Sequence, residues 1–160
     1  MGASLGPGVD PDNLRGFALT PRQSDLDRFV DAQNGVFDRA LAELRGGVKA
    51  SHWMWFVFPQ IAGLGRSAMA RIYAIRDLAE ARAYLDHAIL GPRLVTASEA
   101  MLGWAGRRSA EAILGGIDAI KFRSSMTLFE AAAGEGASPY VACLDGFYAG
   151  QRDPATLDRL

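Results

Sequence analysis

Two short segments concentrate the side chains able to do chemistry. The first, Lys49-Ala50-Ser51-His52-Trp53-Met54-Trp55-Phe56-Val57-Phe58-Pro59-Gln60, holds two tryptophans, two phenylalanines, a histidine and a lysine, although aromatic residues are only 9% of the chain. An aromatic wall with a cation beside it can stack a base or another planar group. His52 carries an imidazole, the side chain suited to general acid–base work near neutral pH. The second segment places Asp118, Lys121, Ser124, Ser125 and Thr127 within a helical pattern. Positions 118, 121 and 125 are three and four residues apart and share one helix face, with Ser124 beside them. Hydroxyls and a lysine near a helix start can hold a phosphate or carboxylate, because the first-turn N–H groups are free. Ser–Lys covalent catalysis would need a desolvated lysine next to the hydroxyl, a geometry that spacing alone does not fix. Between the segments lies Gly63-Leu64-Gly65-Arg66-Ser67, where Arg66 can clamp an anion. That loop lacks the phosphate-loop lysine spacing and follows no strand, so a tight turn also explains it.

Each feature has a structural explanation as well. Helical aromatics are usually core. His52 can donate to a backbone carbonyl and has no sequence-local carboxylate to orient it. Asp118 suits an N-cap, and Lys121 can pair with it or reach solvent. The hydroxyls can bond back to their own helix. The only other histidine is His87, and no His/Cys/Asp/Glu cluster has ligand spacing, so neither a metal nor a cofactor is expected.

Composition narrows the class. At 160 residues, 49% apolar and 22% charged, the chain reads as one soluble domain with a self-sufficient core. A formal net charge of −1 gives no whole-chain case for nucleic acid or an acidic membrane. The pair Arg107-Arg108 reads as a solvated loop. The lone Cys143 cannot form an intramolecular disulfide and reads as a buried small residue. No signal-peptide-like stretch opens the sequence, and its longest apolar run is far shorter than the ~20 residues a membrane helix needs. These observations predict a cytoplasmic protein, with a monomer favoured.

The elements that must position the two segments are helices. Residues 1–20 are rich in glycine and proline and predict a flexible tail; 21–160 form the helical domain. Leu26, Phe29, Val30, Phe37, Leu41 and Leu44 predict one helix from Asp25 to Arg45, stopped by Gly46-Gly47. Gln33 lies in that stripe, where its amide needs partners. The aromatic run predicts a short helix ended by Pro59. Ser67 and Asp77 are N-cap candidates, the latter opening Asp77-Leu78-Ala79-Glu80. Pro92 sits near a first turn, Ser109 caps a brief helix, and Ile117–Ala133 is the last long one. Pro139 and Asp153-Pro154 start two more. No segment alternates like a strand. The fold class is all-α: a single compact multi-helix domain of about seven helices, several of them short.

These segments, in this order, resemble a family known as domain of unknown function 1810. The likeness rests on Leu26 to Gln33, Lys49-x-Ser51-His52-Trp53-Met54-Trp55-Phe56-x-Phe58-Pro59-Gln60, Gly63-Leu64-Gly65-x-Ser67, Tyr73-x-Ile75 and Ala83-Tyr84-Leu85. It closes on Asp118-x-x-Lys121-x-x-Ser124-Ser125-Met126-Thr127-Leu128-Phe129. His87-Ala88 stands where the family often has His-Pro. The resemblance implies a compact, mainly helical fold and no particular activity. The label calpastatin, attached to some members, has no physical support here, since an inhibitor of that kind is disordered and repetitive.

Three readings follow. In the first, a polar or anionic small molecule, nucleotide-like if it uses both stacking and charge, sits between the two segments. Lys49, Lys121 and Arg66 supply positive charge; Ser51, Gln60, Ser124 and Ser125 supply hydrogen bonds; Trp53 and Trp55 form a wall; His52 is the acid–base candidate; and Asp118 opens the helix. In the second, the same residues form a core and a patch for a protein partner, without a small ligand. In the third, both motifs are a buried polar network that fixes helix packing. An exposed, flat Trp/Phe patch would favour the second; inward-pointing Lys121, His52 and Gln60 would favour the first.

Overall fold

Apolar spacing and local capping account for most elements of the computed structural model, which describes residues 21–160, with side chains from Asp25 onward. In chain order the helices are α1 (Pro21–Gln33), α2 (Phe37–Gly46), α3 (Met54–Val57), α4 (Ala68–Ile72), α5 (Leu78–Asp86), α6 (Leu90–Leu102), α7 (Ala110–Leu114), α8 (Gly116–Ala133), α9 (Pro139–Tyr148) and α10 (Pro154–Leu157). No strand forms among the described residues; Ile61 and Ile75 make an isolated parallel bridge. The chain is all-α, with ten helices among the described residues rather than about seven. The expected tail at 1–20 lies outside the described residues.

One expected helix is two. The run from Asp25 to Arg45 breaks at Asn34–Val36, where Gly35 takes φ +75°. Glycine adopts that left-handed conformation without a Cβ clash, and the turn lets α2 leave along a new direction. Elsewhere the caps sit where local chemistry puts them. Ser67, Ser109 and Ser138 accept from the N–H groups of Ala70, Ala112 and Val141. Asp77 accepts from Glu80 and Asp153 from Thr156. Each such cap contributes about 1 kcal/mol. Asp118 is not a cap: Gly115 holds that position, and Asp118 lies inside the first turn of α8.

Helix α8 is the spine. Helices α5, α7, α9 and α10 all pack on it, and its residues 124 to 129 are buried without interruption. Phe122 meets Phe58 edge-on at 4.8 Å between ring centres, and Phe129 lies 5.2 Å from Tyr84. Gln33 finds its partners: its amide N–H₂ donates to Phe56 O at 2.7 Å and to the Tyr84 hydroxyl at 3.1 Å, and its oxygen accepts from Arg93. A buried amide is thereby satisfied and ties α1 to the aromatic run and α5.

Of the described glycines, the one at the α5–α6 junction makes the tightest approach to backbone. His87 Nδ1 accepts from the N–H groups of Ile89 and Leu90 at 3.0 and 3.2 Å, turning the chain into α6. One residue later, a Cβ on Gly91 would fall 2.1 Å from the Leu85 carbonyl oxygen. A backbone atom cannot yield as a flexible side chain would. Gly91→Ala is therefore expected to lower unfolding stability by about 2–3 kcal/mol in urea titration; an unchanged midpoint would contradict the contact.

Candidate functional site

The aromatic run is held by a residue outside it. Helix α2 ends at Gly46, and the chain turns back so that the segment from Ala50 to Trp53 passes the Glu43 side chain. One Glu43 oxygen accepts from Ala50 N–H at 2.8 Å, Ser51 N–H at 3.0 Å and the Trp53 indole N–H at 2.8 Å; the other accepts from the Ser51 hydroxyl at 2.6 Å. Desolvation alone would raise the pKa of this carboxyl, but the four donors together outweigh it and hold the pKa down at about 2. With Ser51 and Trp53 fixed, Lys49 is fixed too: its N–H donates to Ile113 O at 2.8 Å, beside α7.

From there Lys49 reaches the start of α8. Its ammonium lies 3.0 Å from Asp118 Oδ2 and 5.1 Å from the centre of the Trp53 ring. Lys121 comes to the same carboxylate from its own helix, 3.7 Å from Oδ1, with its ammonium 5.1 Å from the centre of the Trp55 ring. The two sequence segments therefore meet, through two lysines, one aspartate and two indoles. Side-chain exposure is only 10% for Lys49 and 24% for Lys121, so these contacts are formed partly out of water, where charge interactions strengthen. The N–H groups of Gly116, Ile117 and Asp118 donate to neither a side-chain cap nor a backbone carbonyl among the described residues. Val48, Ile117 and Ile120, each next in sequence to a member of the cluster, stand exposed.

The other candidates fall elsewhere or are already occupied. Trp53, Phe56 and Phe58 are core, so the only indole of the run with partial exposure is that of Trp55. Trp55 Nε1 and Ser125 Oγ are buried and meet no hydrogen-bond partner among the described residues. Ser124 donates to Asp153 Oδ2 at 2.8 Å, the Thr156 hydroxyl donates to the same oxygen at 2.6 Å, and Asp153 N–H donates to Thr127 Oγ1 at 3.0 Å. Those hydroxyls dock α10 onto α8. Ser51 is held by Glu43. His52 and Arg66 are exposed and Gln60 is half-buried; no side-chain hydrogen bond or ion pair among the described residues joins any of them to the cluster.

Sequence reasoning missed Glu43. On α2 it looks like an ordinary solvated charge, and only the turn at Gly46-Gly47 shows that the chain can return past it. Burial pushes the Cys143 thiol up to about 12, which suits a core residue and not a nucleophile. No group of three metal-ligating side chains occurs among the described residues, and none of their helices is long and apolar enough to cross a membrane.

A carboxyl whose folded pKa is depressed contributes stability above its unfolded value and loses it as pH falls through the folded one. For Glu43 that window runs from 4.5 down to about 2. Glu43→Gln should cost roughly 2 kcal/mol at pH 7. The difference from the wild type should shrink as pH falls through that window, measured by denaturant unfolding at each pH. A difference independent of pH would place the carboxylate outside this role.

No curated protein matches the chain. The crystal structure of the conserved hypothetical protein Rv1873 from Mycobacterium tuberculosis is similar, at 47% identity and a TM-score of 0.81, over 85% of this chain and 96% of that one. The profile of the family described as protein of unknown function (DUF1810) matches residues 23–160. The chain belongs to the DUF1810 family.

Proposed function

We propose that the protein binds a small anion, nucleotide-like in carrying a planar part, where the Trp-rich segment meets the start of α8. The observation that carries this reading is the pair of ammonium groups, Lys49 and Lys121, that share the one carboxylate of Asp118 and so keep N–H donors free. The other carboxylate nearby, Glu43, is taken up by four donors of its own. The pair lies at the start of an 18-residue helix, whose dipole adds about half a positive charge. Free first-turn N–H groups would receive the anion's oxygens. The half-exposed Trp55 and the apolar Val48, Ile117 and Ile120 would border its less polar part. Trp53 serves as a support for Lys49 and not as a ligand wall. The reading concerns binding and assigns no reaction. With a single, buried cysteine and near-neutral net charge, we place the protein in the cytoplasm.

A second reading has a specific observation behind it. Lys49 is almost buried and pairs closely with Asp118, as expected of a polar network that only fixes helix packing. The reading as a partner-binding aromatic patch has less behind it, because Trp53, Phe56 and Phe58 are inside.

A thermal-shift screen with nucleotides, sugar phosphates and small carboxylates separates the two. Binding to the folded state alone stabilises it by about 2.7 kcal/mol at a hundredfold excess over Kd. The proposal predicts a rise in Tm with at least one anion that Lys121→Ala abolishes. No rise with any anion, together with a markedly destabilised Lys121→Ala, would leave the packing role and reject the site.

A further inference from the structure

A second place in the molecule combines a concavity with two arginines that make no ion pair among the described residues. The turn between α6 and α7 and the facing side of α9 enclose an open cleft of about 370 Å³, lined by Gly106, Arg107, Arg108, Ser109, Gly146 and Phe147. We propose that this cleft binds a phosphomonoester, with its phosphate between Arg107 and Arg108 and its organic part on Phe147. The proposal is independent of the site at the start of α8.

The arginines carry the argument. Arg28, Arg76 and Arg152 each pair with a carboxylate. Arg107 and Arg108, which both border the cleft, pair with no carboxylate among the described residues. Both guanidinium groups are nevertheless held. Arg107 lies over the Trp104 ring, 4.6 Å from its centre, and donates to Gly103 O at 3.4 Å. Trp104 is itself anchored, its indole N–H donating to Leu44 O at 2.9 Å. Arg108 donates to Ala112 O at 3.1 Å. Each guanidinium has five N–H donors, so most remain available. Two guanidinium forks that border one cleft can meet the several oxygens of a phosphate.

The remaining lining completes the cleft. Ser109 accepts the Ala112 N–H at 3.0 Å and keeps its own hydroxyl proton for donation. A Cβ on Gly146 would come 2.9 Å from the Ala105 Cβ, so α9 lies hard against the turn with the Ala105 methyl filling the space beside its glycine. Phe147, partly buried and edge-on to Phe122 at 6.2 Å, supplies a fixed apolar wall. The volume suits a phosphate with one ring or sugar attached.

The test uses phenyl phosphate and inorganic phosphate as probes, followed by amide NMR titration of the full chain at constant ionic strength. Saturable shifts at residues 106–109 and 146–147 are expected, with phenyl phosphate binding more tightly than inorganic phosphate. Arg107→Gln/Arg108→Gln should weaken phenyl phosphate by roughly tenfold or more while leaving the fold's spectrum intact. Lys121→Ala should leave this binding unchanged. Absence of saturable shifts there at millimolar probe, or binding that survives the double substitution, would overturn the proposal. Shifts confined to the start of α8 and lost in Lys121→Ala would overturn it too, while supporting the other site.

Discussion

The Glu43 carboxylate is the constraint on which the site depends. It gathers two backbone N–H groups, a hydroxyl and an indole N–H from residues 50–53. No single one of these bonds is unusual, yet a charged acceptor roughly doubles the strength of each. Together they convert a turn after α2 into a fixed strut. Trp53 is thereby seated in the core, and Lys49 is aimed at Asp118. Without the carboxylate, the donors it satisfies would have to find water, and the loop carrying Lys49 would lose its reason to lie against α7.

Helix α8 receives that strut at one end and the C-terminal turn at the other. Its first residues present Asp118 and Lys121 to the aromatic run, while Ser124 and Thr127, through Asp153 and Thr156, secure α10. A sequence segment that looks like one polar motif therefore does two jobs on two faces. Only its first half stays beside the indoles. Both lysines share one aspartate and keep donors free, and the proposal of an anion there rests on that.

Much of the helical framework was legible because it is local. Ser67, Asp77, Ser109, Pro139 and Asp153-Pro154 mark helix starts through contacts within three residues. Gln33 announced its need for partners by falling in an apolar stripe, and it has them in Phe56, Tyr84 and Arg93. The break at Asn34-Gly35 was visible as a turn dipeptide, but the apolar spacing runs through it and hides the change of direction. Glu43 was illegible because its partners are brought to it by the chain reversal and not by helix spacing. The meeting of Lys49 with Asp118 was beyond sequence reasoning for the same reason: it is a product of how α2, α7 and α8 pack. Trp53 and Trp55, alike in sequence, separate because Trp53, just before α3, goes into the core, while Trp55 is the one residue of α3 that is not buried.

The pH dependence of the Trp53 indole N–H, followed by NMR, tests this account most directly. If Glu43 holds the loop, the indole N–H of Trp53 and the amides of Ala50 and Ser51 will shift together, with a midpoint at about 2, displaced from the ordinary 4.5. Their exchange with solvent will be slow above that midpoint. Rapid exchange at neutral pH, or a shared midpoint near 4.5, would show that the carboxylate does not hold this segment, and the cluster at the start of α8 would lose its foundation.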